Sequence, residues 1–196
     1  MPSEALHEWK TGRTTGLDNL VSLHGPMTHG KPGRQWLTEE LNHALITRLS
    51  AEFQGFCRDL HDEAIEALLT ETTVPSDAIR QVFRARIENG RDLDSKNAQP
   101  GSLGNDFARL GMTLWDDLYE CYPFKGKRWN AQLTRLNDAR NAIAHNSPEK
   151  LLAAAAQQPL TLGSYRKWKT MLNEMSYGLD KVTGSYLKKV TGVESW

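Results

Sequence analysis

Cysteine is almost missing from this chain: Cys57 and Cys121 are the only two in 196 residues. That excludes a disulfide framework and fits a reducing compartment, so a cytoplasmic protein is expected. Long apolar runs are missing too. No stretch approaches the ~20 apolar residues of a membrane span. The opening Met1-Pro2-Ser3-Glu4-Ala5-Leu6-His7-Glu8-Trp9-Lys10 lacks the apolar core of a signal peptide. Net charge is absent as well, because 24 Lys and Arg balance 24 Asp and Glu. Strong non-specific attraction to nucleic acid is therefore not expected of the whole surface, and any RNA site must rest on a local basic patch. There is no Gly-x-x-x-x-Gly-Lys loop and no Gly-x-Ser-x-Gly elbow, so NTPase and serine-hydrolase readings lack support. Cys57 and His61 stand four apart on one helical pattern, but two ligands do not make a zinc site. Neither a metal nor another cofactor is expected, and no internal repeat is visible.

What is present is helical periodicity. Residues 1–15 are polar and are expected to be flexible. Leu17, Leu20 and Val21 suggest a short first helix. Residues 25–34 carry three Gly and two Pro and read as a loop that no helix crosses. From Trp36 to about Thr70, steps of three and four link Leu41, Leu45, Leu49, Phe53, Phe56, Leu60, Ala64 and Leu68 in one stripe, with Thr38 able to cap it. Gly55 interrupts that stripe at a cost of about 1 kcal/mol against Ala, and either admits a close neighbouring helix or is simply tolerated. Pro75-Ser76 starts another helix, expected to turn Ile79, Val82, Phe83 and Ile87 inward. After a loop at 89–102, Leu103 to Tyr122 reads as one helix stopped by Pro123. Lys125 to Trp129 reads as a basic, aromatic connection. A short helix before Pro159 and a last one from Thr161 to about Val190 follow. The expected fold is all-α: a helical bundle with long antiparallel helices, forming a single domain over 1–196.

The most unusual stretch is residues 133–148. Leu133, Leu136, Ile143 and Ala144 mark an apolar face, while Asn137, Asp138, Arg140, Asn141, His145 and Asn146 form a polar ridge. Ser147-Pro148 ends this helix and can start the next, as N-cap and first helical residue. His145 then falls in the last turn, where unpaired carbonyls favour an imidazolium.

Arg140-Asn141-Ala142-Ile143-Ala144-His145 resembles the Arg-polar-x-x-x-His signature of the HEPN superfamily, all-α domains many of which are metal-independent endoribonucleases. Leu17-Asp18-Asn19-Leu20-Val21, Gly33-Arg34 and the helix carrying Leu41-Asn42, Glu52-Phe53, Phe56 and Asp59-Leu60 are similar to the opening of RiboL-PSP-type HEPN proteins. The resemblance spans about 17–148 and leaves 149–196 as additional C-terminal helices. It implies an endoribonuclease of the toxin or phage-defence type, acting on RNA without a cofactor. It also implies a homodimer whose two motifs line one cleft at the two-fold interface, held in check by an antitoxin or another regulatory protein. The alternative it leaves is a non-catalytic module of the same fold that binds a nucleotide or a partner.

The residue types suit the chemistry. RNA carries its own nucleophile, the 2′-OH, so cleavage needs a base, an acid and charge stabilisation at phosphorus. His145 can give or take a proton near neutral pH. Arg140 can fork two donors onto phosphate oxygens, and Asn141 can orient the phosphate or the ring. Glu52, Asp138 and Asn146 are supporting candidates; Glu52 could hold Arg140 and tune His145. Lys125, Lys127 and Arg128 are candidate RNA contacts, joined by Arg166, Lys167 and Lys169, with Trp129 and Trp168 as stacking platforms or core residues. A purely structural reading pairs Arg140 with Asp138 or a core carboxylate and leaves His145 as a helix cap. On an ideal helix, five residues put Arg140 and His145 about 140° apart, so one helix presents them poorly to one phosphate.

Overall fold

The computed structural model describes residues 1–28, 36–72 and 76–196, and no strand occurs among them. The helices are α1 (Glu4–Glu8), α2 (Thr14–Ser22), α3 (His24–Thr28), α4 (Trp36–Glu71), α5 (Asp77–Glu88), α6 (Pro100–Ala108), α7 (Leu114–Cys121), α8 (Lys125–Ala144), α9 (Pro148–Gln157) and α10 (Leu162–Thr191). No described helix is long and apolar enough to cross a membrane.

The N-terminal segment is helical and packed against α4 and α10. Ser3 caps α1 by accepting the Leu6 amide, and the Asp180 carboxylate in turn accepts from the Ser3 amide at 3.0 Å. Glu63 on α4 accepts the amides of Glu4 and Ala5 at 2.9 and 3.0 Å. A π turn at Trp9–Arg13 joins α1 to α2 without a break. Leu6 and Trp9 are fully buried. The Trp9 ring meets Phe53 edge-on at 5.8 Å and Phe56 at 5.7 Å, and its Nε1–H donates to Asn173 Oδ1 at 3.0 Å. Two large apolar residues outweigh a polar neighbourhood once a groove exists to receive them.

These contacts set the topology. Ser3 meets Asp180, Trp9 meets Asn173 and Asp18 pairs with Lys169, so α1–α2 runs antiparallel to α10. Ala5 meets Glu63 and Arg13 meets Asp59 and Glu52, so it is antiparallel to α4 as well. The two longest helices are therefore parallel to one another, and α8 supplies the opposite direction: Trp129 lies on Gly178, and Gln132 shares a cavity with Ser164. The core is shared by Leu45, Leu49, Phe53, Phe56 and Leu60 of α4, Leu133 and Leu136 of α8, and Trp168, Leu172, Met175 and Leu179 of α10. Gly55 has a reason: a Cβ there would strike the Arg13 guanidinium, which crosses α4 at that point to reach Glu52 and Asp59, each at 2.7 Å.

Three further expectations are corrected. The helix expected over Leu103–Tyr122 is two, because Gly111 adopts φ +89° and breaks it, leaving the Leu110 carbonyl to the Tyr186 hydroxyl at 2.5 Å. Lys125 to Trp129 is the first turn of α8, not a connection. Within the stretch expected as a loop, α3 is a helical turn, while residues 29–35, including His29, lie outside the described residues, as does Pro75.

The fifth correction concerns α5. Its boundaries match the sequence pattern, and Ser76 caps it, but its apolar stripe faces outward. Val82 is 68% exposed and Phe83 54%. The side laid on α4 is polar: Arg80 donates to the Leu69 carbonyl in the last turn of α4, and Arg84 pairs with Glu66 and Glu88. Only Ile87 of the four apolar residues packs against the core.

Candidate active site

The motif residues sit at the end of α8. Asn137 leaves the ridge and points into the core. It is fully buried, accepts from Ser50 Oγ at 3.2 Å, and donates to the Ala98 and Leu133 carbonyls at 3.0 and 2.9 Å. One turn on, Asn141 Oδ1 accepts from Asn97 Nδ2 at 2.5 Å and from Arg140 Nη1 at 3.2 Å. The two asparagines thus clamp residues 97–98 onto α8. Below them, Asp106 is buried and accepts the amides of Asp92 and Leu93, each at 2.8 Å, which fixes the start of a single 3-10 turn at Asp92–Asp94.

The clamped loop walls an open, polar cleft of about 550 Å³, lined by Arg140, Asn141, Lys96, Asn97, Ser102 and their neighbours. Arg140 is half-buried, between the buried Ala139 and Ala142 of α8, and lines the cleft. No carboxylate meets it; its one partner among the described residues is the Asn141 amide. Lys96 is paired with Asp92 at 2.9 Å. The cleft also receives the start of α6. Gln99 gives this helix no side-chain cap, and the first-turn amides of Gly101 and Ser102 have no intrahelical acceptor. A guanidinium with fork geometry, two amide side chains and two main-chain N–H groups form a donor-rich wall suited to phosphate oxygens.

His145 does not line this cleft. It is the C-cap residue of α8, exposed, and its ring has no partner among the described residues. Asn146 takes a left-handed φ of 46° immediately after it. The Asn146 amide donates to the Ile143 carbonyl at 3.0 Å and the Ser147 amide to the Ala142 carbonyl at 3.3 Å, the paired bonds of a Schellman stop. Asn146 thus ends the helix and holds His145 outward. Ser147 and Pro148 open α9 as expected, although the Ser147 hydroxyl makes no capping bond. Ala144, expected on the apolar face, is exposed, as is Asp138, which has no partner among the described residues.

Glu52 is not brought to Arg140. It is buried, with its two oxygens taken by Arg13 at 2.7 Å and Arg48 at 2.5 Å; α4 turns it toward the N-terminal segment. Lys125 is paired with Glu174 at 3.1 Å, Lys127 is exposed, and Arg128 faces α10. Trp129 and Trp168 are core residues, 3% and 1% exposed, and present no face to a base. Cys57 is fully buried in the same core, and burial pushes its thiol pKa up.

Two histidine sites gave no usable signal in the sequence. His24 and His43 line a separate cavity of about 550 Å³, whose other side is Leu151, Leu160 and Leu162; nothing before folding ties α3 to α9. His61 is fully buried, with Nε2 at 3.0 Å from the Asp106 carbonyl and Nδ1 at 3.2 Å from Arg91 Nη1. Both nitrogens are thus occupied, Nδ1 as acceptor. Burial, reinforced by the Arg91 charge, holds the His61 pKa below its ordinary value. The unfolded chain takes up a proton near pH 6.5 that the fold resists, so His61 favours the fold above that pH and loses its contribution as pH falls toward the lowered folded value. Unfolding free energy, measured in urea, is expected to fall between pH 7 and pH 5 by up to about 1.4 kcal/mol per pH unit, with a shallower slope in His61→Gln. An identical slope in the variant would remove His61 as the cause.

Comparison with known proteins gives no match: no family model, no curated protein and no solved structure matches the chain.

Proposed function

We propose that the chain is a metal-independent endoribonuclease of the HEPN type, of the toxin or phage-defence class, working as a homodimer. The observation that carries this reading is Arg140: a half-buried guanidinium lining a polar cleft, with no ion-pair partner among the described residues, while the cleft's one carboxylate, Asp92, is paired with Lys96 at 2.9 Å. Arg13, Arg84 and Arg91 are tied to acids, whereas Arg128 and Arg166 are unpaired among the described residues but exposed and away from this cleft. His145 likewise has no bonded partner, and the Schellman stop holds it outward. Because Arg140 and His145 open in different directions, the reading requires a second protomer, with one chain's Arg140 and the other's His145 meeting at a two-fold axis.

In that arrangement one His145 takes the 2′-OH proton and the 2′-oxygen attacks phosphorus. Arg140 and Asn141 carry the charge on the non-bridging oxygens. The same His145, now protonated, gives that proton to the departing 5′-oxygen. The products are a 2′,3′-cyclic phosphate and a 5′-hydroxyl. A second reading, a binding module in which Arg140 holds a nucleotide, is favoured by the same separation of His145 from the cleft. The test is incubation of total RNA and tRNA in EDTA. Wild type is expected to cut RNA but not DNA and to leave cyclic-phosphate ends. Inactivity in EDTA that magnesium reverses would rule out the metal-free mechanism, and nucleotide binding that needs Arg140 without any cutting would establish the second reading.

A further inference from the structure

Two basic runs that lie far apart in the sequence meet in the fold. Arg128 from the first turns of α8 and Arg166 and Lys167 from the start of α10 line one groove, with cavities of about 280 and 430 Å³ that share Arg128, Lys167 and Met171. All three cations are exposed, and none has an ion-pair partner among the described residues. Glu174 is the one acid on the lining, and Lys125 already neutralises it at 3.1 Å. The chain as a whole has no net charge, so three unpaired cations in one groove are a local concentration rather than part of a basic surface. The rest of the lining is mostly polar and includes Gln132, Gln157 and Gln158.

We infer that this groove binds the sugar–phosphate backbone of a single nucleic-acid strand; the choice of nucleic acid rests on the nuclease reading, the groove itself does not. Packed helices lie about 8–10 Å apart, and the furrow between two of them fits one extended strand. The cations meet phosphates and the amides meet sugar and base edges without preference. Trp129 and Trp168 are buried, and no aromatic residue is among those lining the groove. The groove therefore reads backbone rather than sequence, and does not distinguish RNA from DNA. It is built on α8, the helix that ends in Arg140 and His145, so a strand held here is delivered along α8 toward the cleft.

The test uses full-length His145→Ala protein, so that no substrate is consumed, with fluorescent 20-nucleotide oligo(U) and oligo(dT). Three neutralised phosphates on a single strand give a log K against log salt slope of about −2, or roughly a 20-fold loss of affinity from 50 to 200 mM salt. Adding Arg128→Ala, Arg166→Ala and Lys167→Ala is expected to flatten the slope to near zero, and oligo(dT) is expected to bind within a few-fold of oligo(U). Thermal unfolding checks that the exposed substitutions leave the fold intact. An unchanged slope in the triple variant, or binding of oligo(U) alone, overturns the groove. Groove-dependent binding with no RNA cleavage by wild type keeps the groove and removes the nuclease. Cleavage that is equally fast in a triple variant retaining His145 does the reverse.

Discussion

Alanine at Arg140 or at His145 is expected to lower RNA cleavage by about 10²- to 10⁴-fold, and mixing the two inactive proteins is expected to bring activity back. The reason is geometric. Arg140 opens into the cleft beside Asn97 and Asn141, while His145 stands outside it at the C-cap. A site that needs both must take them from different chains. In a mixed dimer one of the two composite sites has the intact Arg140 of the His145→Ala chain and the intact His145 of the Arg140→Ala chain. Random exchange makes half of all dimers mixed, so recovery should approach about a quarter of wild-type activity. The two single variants should show normal unfolding curves, since neither side chain is buried in the core. The measurement is single-turnover cleavage of one labelled RNA, before and after subunit exchange. No recovery, with mixed dimers confirmed by mass, would place both groups in one protomer and remove the composite site.

Trp9→Ala is expected to cost about 3–5 kcal/mol of unfolding free energy, a large share of the 5–15 kcal/mol typical of a domain. The indole is 1% exposed, contacts Phe53 and Phe56, and satisfies the Asn173 amide oxygen. Removing it leaves a cavity in the middle of the bundle and an unpaired acceptor. Urea denaturation would show a lower midpoint with little change in slope. A loss under about 1 kcal/mol would mean that the N-terminal segment contributes nothing to the core.

The same residues show what a sequence can and cannot convey. The span of α4 is legible because eight apolar positions from Leu41 to Leu68 repeat at helical spacing, and its observed limits are Trp36–Glu71. The last helix is equally plain, from the Thr161 cap to Gly192 in the left-handed conformation. The facing of α5 is not legible. Its apolar stripe is regular, but Arg80 and Arg84 win the inner side through the Leu69 carbonyl and Glu66, partners that periodicity cannot supply. Nor does local pattern separate Asn137 from Asn141. The first is consumed by three core hydrogen bonds and the second stands at the cleft, and the difference is where the loop at 97–98 crosses α8. Arg140 and His145 are recognisable by type and spacing. Their divergence follows from helix geometry, whereas the cleft that receives one of them is made by residues some forty positions earlier. Trp9 was hidden by its polar neighbours, since a single large residue in a short segment has no period.

The N-terminal segment also imposes an order on synthesis. Trp9 is made 164 residues before Asn173, and Ser3 is made 177 before Asp180. At 5–20 residues per second, the Trp9 indole waits about 8–30 s for the helix that completes its enclosure. Until α10 has left the ribosome, the groove that buries Leu6 and Trp9 has only one of its walls. The nascent chain thus carries a half-enclosed tryptophan until α10 emerges, and closure of the bundle is set by that helix rather than by the first.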